Sequence, residues 1–174
     1  MEPMDFTGSD SEFISTLAER PETALIWACF TCRTCTVSCP VTLVKPSFDP
    51  VKIVRKAAYG FKAAVLESGE IWLCTGCYAC QERCPQKVPI TDFMTLLKNL
   101  AYAEGHAPPG VRLQRDTVVK GGGRIYPIDE FDNKKRLKAG LPELPVSCEA
   151  STALFPQDQE SSGPVPEARK RGNP

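Results

Sequence analysis

The chain of 174 residues carries 21 Lys and Arg against 21 Asp and Glu, with one His, 16 Pro and nine Cys. That length suits one domain with tails, since domains usually run about 100–150 residues, and the charge balance excludes a broad basic surface for nucleic acid or an anionic membrane. The longest apolar run, Ala24 to Phe30, is far short of the about 18–20 residues of a membrane span. The opening MEPMDFTGSD has neither the basic nor the apolar region of a secretory signal. A cytoplasmic chain is expected, in which nine cysteines are metal ligands before they are disulfides.

From the N-terminus, Asp10 or Ser11 caps a short amphipathic helix to Arg20, with Phe13, Ile14 and Leu17 as its apolar stripe and Pro21 as its stop. A first cysteine block follows, Ile26 to Pro40. Asp49 then caps, and Pro50 opens, a helix expected to run to Leu66, because Val51, Val54, Ala58, Phe61 and Val65 recur at helical steps. The second block spans Ile71 to Pro85. Thr91 or Asp92 caps a helix to Glu104 with Phe93, Leu96, Leu97 and Leu100 on one face and Gly105 as terminator. Beyond Pro108-Pro109-Gly110, short helices are expected over 111–120 and 132–139. From Ser151 onward Ser, Gln, Glu, Pro and Gly predominate, a composition too poor in apolar residues to order itself. The expected division is an N-terminal segment at 1–22, a mainly α domain at 23–107, a partner-binding extension at 108–150 and a disordered C-terminal arm at 151–174.

The two blocks form an internal repeat offset by 45 residues. Ile26-Trp27 superposes on Ile71-Trp72, the four cysteines and the following proline superpose in turn, and Gly60 corresponds to Gly105. Two similar half-sites related by a pseudo-twofold are expected.

Each block reads C-x2-C-x2-C-x3-C-P. Three cysteines at steps of three can wrap a loop around one face of a cubane cluster, so a fourth ligand must come from elsewhere. In two-cluster ferredoxins the last Cys of each run ligates the other cluster. The expected sets are therefore crossed: Cys29, Cys32, Cys35 and Cys84 for one [4Fe–4S] cluster, and Cys74, Cys77, Cys80 and Cys39 for the second. Pro40 and Pro85 end the ligand loops, and Trp27 and Trp72 are expected to pack over the clusters and exclude water. Zinc would explain pairs of C-x2-C but neither the third step nor the C-P ending. There is no C-x-x-C-H for covalent haem, and one His cannot supply a Rieske centre. With 34 residues between Cys39 and Cys74, mostly helical in pattern, the expected architecture is a helical ferredoxin-type domain rather than a small β-rich one. Eight thiolates against two oxidised cores bring the loaded chain to about −4.

These motifs, Cys29 to Pro40 and Cys74 to Pro85 with a helical spacer, resemble the C-subunit of heterodisulfide reductase. The resemblance spans 13–105 and, more loosely, Gly140-Leu141-Pro142-Glu143-Leu144-Pro145. It implies an electron-transfer subunit that relays electrons through two [4Fe–4S] clusters from a flavin-containing A-subunit to a disulfide-reducing B-subunit. In methanogens that disulfide joins coenzymes M and B. The double motif is also similar to the iron–sulfur subunits of succinate dehydrogenase, fumarate reductase, glycerol-3-phosphate dehydrogenase and glycolate oxidase. An iron–sulfur subunit of a membrane-associated quinone oxidoreductase is therefore the alternative, and a free ferredoxin a third reading.

Adjacent Cys-Cys pairs mark the family's disulfide-reducing component; this chain has none, and only Cys148 follows Pro85, so the chain lacks the family's substrate site. No G-x-G-x-x-G or nucleophile–base pair stands out. Cys148 reads as an ordinary loop thiol and His106 as a helix-end or solvent-facing residue. Lys134, Lys135, Arg136 and Lys138 fit equally a solvated face or a patch for an acidic partner.

Overall fold

The computed structural model describes residues 6–23, 25–121, 123–126, 128–145 and 153, so Cys148 and nearly all of the expected C-terminal arm lie outside the described residues. The described residues are mainly helical and contain no strand. The chain divides into two compact units, Met1–Ala107 and Pro108–Pro174.

The first unit begins with α1 (Ser11–Ala18), capped as its sequence predicts: Asp10 Oδ1 accepts from the Phe13 N–H at 2.9 Å. Its apolar stripe buries Phe13 and Leu17 in the same core as the residues that follow. Short 3-10 turns at Pro21–Thr23 and Ile26–Ala28 lead into the first cysteine block, which holds α2 (Thr34–Val37) and α3 (Pro40–Val44). Then come α4 (Pro50–Ala58) and α5 (Lys62–Leu66). A 3-10 turn at Glu70–Leu73 opens the second block, which contains α6 (Ala79–Glu82), and α7 (Ile90–Ala103) ends the unit.

The helix expected to run unbroken to Leu66 is interrupted between Ala58 and Lys62. Its apolar period persists across the gap, but a tertiary contact overrides it. Gly60 takes φ +81° and its carbonyl accepts the Asp10 N–H at 2.9 Å, while Ser9 Oγ donates to the Tyr59 carbonyl at 2.8 Å. A Cβ on Gly60 would meet Ser9 Oγ at 2.7 Å and the Asp10 carbonyl at 2.9 Å. The N-terminal segment therefore seats directly on the break.

The sequence repeat is also a structural one. The 3-10 turns precede the first cysteine of each block, α2 and α6 fall 45 residues apart, and Ile26 and Ile71 are both wholly buried. Past the blocks the register changes. Asp49, Val51, Ile53, Val54 and Ala58 correspond to Asp92, Met94, Leu96, Leu97 and Ala101, an offset of 43, because two residues fewer separate Cys84 from Asp92 than separate Cys39 from Asp49. α2 packs on α4, α6 packs on α7, and α2 meets α6 between them. Leu17, Ile26, Phe48, Val54, Leu66, Ile71, Phe93 and Leu97 anchor the shared core, each worth about 1.5–3 kcal/mol when fully buried.

In the second unit, α8 (Pro109–Lys120) starts on Pro109 and stops at Gly121. α9 (Glu130–Lys138) has a capping box formed by Asp129 and Asp132 and buries no residue. The 140–145 segment returns along α9: the Asn133 side chain donates to the Leu144 carbonyl at 2.9 Å and accepts from its N–H at 3.0 Å. Arg136 Nε donates to the Pro142 carbonyl at 2.9 Å, and Lys135 lies over the Phe131 ring. Much of the expected basic patch is thus engaged within its own unit. No described helix is long and apolar enough to cross a membrane.

Two glycines with left-handed backbones separate strain from crowding. Gly69 has φ +70° and open space where a Cβ would stand; Gly69→Ala is expected to cost about 1 kcal/mol from its backbone alone. Gly60→Ala adds the collision with the N-terminal segment and should cost about 2–3 kcal/mol. Chemical denaturation of the cluster-loaded protein compares them, and equal losses would refute the seating of residues 9–10 on Gly60.

Candidate metal centre

Both cysteine loops are built by the same backbone device. Thr31 (φ 62°) and Gly76 (φ 67°), then Arg33 (φ 64°) and Tyr78 (φ 61°), are left-handed at equivalent positions of the repeat. Left-handed residues in a turn swing neighbouring backbone N–H groups toward one concave side, an arrangement suited to anionic sulfur. Three of the four are not glycine, and Thr31 is β-branched, a combination that costs about 1–3 kcal/mol and persists only where surrounding structure enforces it.

The loops bring the eight repeat cysteines to two neighbouring cavities. Cys29, Cys32, Cys35 and Cys84 line one, with Arg33, Val51, Val54 and Pro85 also in its wall. Cys39, Cys74, Cys77 and Cys80 line the other, together with Phe48 and Met94. Ile90 lines both. All eight of these thiols are free; Cys32 and Cys77 are exposed, whereas Cys35 and Cys39 are buried.

Among the described residues no three His, Cys, Asp or Glu side chains converge closely enough to hold a single metal ion. Thiols spread around a cavity suit a cubane, whose irons occupy separate corners, and do not suit a tetrahedral zinc ion. The donor set therefore fits two [4Fe–4S] clusters.

The thiols differ in readiness to ionise. Burial pushes Cys35 up to about 11, opposed by its hydrogen bond with Thr36 and reinforced by Cys29 and Cys80. Burial also raises Cys80. Cys32 is held below the usual value by Thr34, whose hydroxyl lies 3.3 Å from its sulfur. Further groups approach the sulfurs: the Val88 N–H donates to Cys84 Sγ at 3.4 Å just after left-handed Lys87, and Thr91 Oγ1 lies 3.6 Å from Cys80 Sγ.

Other side chains fasten each loop to the helix behind it. Arg33 Nη2 donates to Asp49 Oδ2 at 3.0 Å and Thr36 Oγ1 to Asp49 Oδ1 at 2.5 Å. Tyr78 OH donates to Asp92 Oδ1 at 3.0 Å and Gln81 Nε2 to Asp92 Oδ2 at 2.9 Å. Arg55 reaches the Cys29 carbonyl at 3.4 Å, and Lys98 reaches the Cys74 carbonyl at 2.7 Å. Asp49, expected as a side-chain cap, precedes α4 but makes no capping hydrogen bond; its carboxylate serves the loop instead. Asp92 lies within the first turn of α7, and Pro89 takes the cap position. Sequence reasoning missed these residues as parts of the site, although the repeat carried a signal: Arg33/Tyr78 and Thr36/Gln81 share the 45 offset, Asp49/Asp92 and Arg55/Lys98 the 43 offset.

The two tryptophans diverge. Trp72 packs partly buried against the core, Trp27 remains 42% exposed, and neither is in the wall of either cavity. Pro85 lines the first cavity, whereas Pro40 is exposed and opens α3.

Helical framework and paired thiol-lined cavities define a ferredoxin-type electron-transfer protein with two [4Fe–4S] clusters. Residues 26–88 match a family described as a 4Fe-4S dicluster domain. The chain is 36% identical over 141 residues to the iron–sulfur C-subunit of the CoB–CoM heterodisulfide reductase of Methanopyrus kandleri, covering 81% of this chain and 72% of that one. It is 39% identical over 132 residues to the C-subunit of the H2:CoB–CoM heterodisulfide,ferredoxin reductase of Methanothermobacter thermautotrophicus, covering 76% and 68%. A further relative, the C-subunit of the ferredoxin:CoB–CoM heterodisulfide reductase of Methanosarcina mazei, is 39% identical over 69% of this chain and 73% of its own length. The chain belongs to the heterodisulfide reductase C-subunit family. It is an iron–sulfur electron-transfer subunit of a multisubunit complex of that type.

Thiol exposure gives a direct test of loop geometry. In the cluster-free chain at pH 8, iodoacetamide is expected to label Cys32 fastest, because it is both exposed and acidified, with exposed Cys77 next and Cys35 among the slowest. Peptide mass spectrometry over time reads the order; early labelling of Cys35 would contradict its buried placement.

Proposed function

We propose that Cys29, Cys32, Cys35 and Cys84 hold one [4Fe–4S] cluster and Cys74, Cys77, Cys80 and Cys39 the other, in a cytoplasmic subunit relaying electrons from a flavin-containing A-subunit to a disulfide-reducing B-subunit. The observation that carries this reading is the wall of each cavity, where three thiols of one block meet the last thiol of the other. Bound there, the clusters supply reversible one-electron chemistry. The chain's own residues do the rest. Val51 and Val54 at the first site, and Phe48 and Met94 at the second, limit water. Arg55 and Lys98 fix the carbonyls of the first cysteines, which orients those thiols. Exposed Cys32 and Cys77 bring one ligand of each site to the surface, where a partner's redox group can approach. The relatives' names support the reductase complex: those from Methanopyrus, Methanothermobacter and Methanosarcina are all C-subunits by name.

Anaerobically prepared chain should contain about eight irons and eight acid-labile sulfides. Cys84→Ala is expected to abolish the same paramagnetic species as Cys32→Ala and leave about half the iron, while Cys39→Ala groups with Cys77→Ala. Grouping by block instead would overturn the crossed assignment.

Affinity purification of the native complex should recover a flavoprotein together with a Cys-Cys-rich subunit. Recovery with a haem-binding membrane subunit would favour the quinone oxidoreductase alternative and defeat the relay from flavoprotein to disulfide.

A further inference from the structure

The two halves of the site repeat nearly every supporting contact but differ in charge. Each loop is clasped to a carboxylate at the start of the following helix. In the first half one clasping residue is the cation Arg33, so the pair it forms with Asp49 is neutral overall. In the second half both clasping groups, Tyr78 and Gln81, are neutral, so Asp92 keeps its full negative charge. A tyrosine phenol is uncharged at ordinary pH. Arg55 and Lys98 place one cation on the equivalent carbonyl of each half, at 3.4 and 2.7 Å, so neither half gains a cation over the other there.

Two further observations lean the same way. Arg33 is in the wall of the first cavity. Among the described residues, the wall of the second cavity contains none that is charged. The Val88 N–H donates to Cys84 Sγ at 3.4 Å in the first set, whereas in the second the Thr91 hydroxyl stands 3.6 Å from Cys80 Sγ. Positive charge and hydrogen bonds to sulfur both stabilise the reduced, more negative state of an iron–sulfur site.

We propose that the two sites are unequal by construction, the Cys29-Cys32-Cys35-Cys84 site having the higher reduction potential, and that Arg33, against Tyr78 in the repeat, is the chief determinant of that order. With both clusters bound, that order would let an electron from a one-electron donor, such as a partner's reduced flavin, pass from the second site to the first, the second being reoxidised as the first is reduced. The chain receives electrons at the Cys77 face and releases them at the Cys32 face. This inference deepens the two-cluster reading above and rests on it.

An EPR-monitored redox titration of the cluster-loaded full chain tests it, with iron assayed on every variant. Iron far below about eight per wild-type chain defeats the two-cluster reading itself. With iron intact, wild type is expected to reduce in two separate waves. Tyr78→Arg should move the lower wave upward and leave the higher in place. Asp92→Asn, which removes a charge but keeps an acceptor, should do likewise without the larger side chain. Arg33→Tyr should move the higher wave downward, whereas Arg33→Lys leaves it near its wild-type position. The proposal is overturned if Tyr78→Arg and Asp92→Asn shift the higher wave or neither wave, or if Arg33→Lys lowers the potential as far as Arg33→Tyr does.

Discussion

Cys84 stands among the thiols of the first block and Cys39 among those of the second, and that exchange governs the architecture around it. Neither cavity is lined by four thiols of one block, so each is built only where the halves come together. The loop this closes is long, but closure entropy grows only with the logarithm of loop length, about 0.6 kcal/mol per doubling. Metal–thiolate binding free energies are far larger, so loading is expected to add to the stability of the joined halves. The contact of α2 with α6, and Ile90 in the walls of both cavities, follow from the same exchange.

Around that centre the repeat is kept where packing or backbone geometry demands it. Ile26 and Ile71 fill equivalent buried positions; α4 and α7 present matching apolar residues in the 43 register; both loops use left-handed residues at the same two places. The two-residue slip between loop register and helix register is absorbed in the links 40–48 and 85–91, where the first half uses its extra length for α3. In the second half α7 already begins at Ile90, and there the Gln81 amide oxygen accepts from the N–H groups of Thr91 and Asp92 at 3.0 and 3.4 Å. A side chain of one loop thereby takes over backbone groups of the first helical turn, groups that otherwise have no partner within the helix.

Much of this was legible in the sequence, for a physical reason. Cysteine spacing is a direct imprint of ligand geometry, and α1 and α7 announced themselves by local period and termination. What was not legible depended on residues distant in the chain. The period from Val51 to Val65 is helical throughout, yet Gly60 breaks it because residues 9–10 occupy the space beside it. Asp49 has the ideal position for a cap, but Arg33 and Thr36 compete for its carboxylate and win, since a charged and a hydroxyl donor together outweigh one backbone amide. The paired tryptophans show the opposite failure. Identical residues at repeat-equivalent positions suggested identical roles, but Trp72 packs partly buried against the core while Trp27 is 42% exposed.

The positions where the halves differ are mostly exposed. Phe30 matches Thr75, Thr31 matches Gly76 and Arg33 matches Tyr78, all next to the surface cysteines 32 and 77. Buried equivalents are constrained by a shared core, so duplicated sequence survives there; exposed positions are free of that constraint and can be shaped by whatever approaches them. Phe30, 57% exposed yet in the wall of the first cavity, gives the Cys32 face an apolar edge beside the Arg33 guanidinium, while Thr75, Gly76 and Tyr78 give the Cys77 face uncharged polar side chains. Two chemically different faces, each carrying one exposed cysteine of the repeat, fit the proposed relay with unlike partners at its ends. A carrier that met one partner at a time through a single face would need only one such surface.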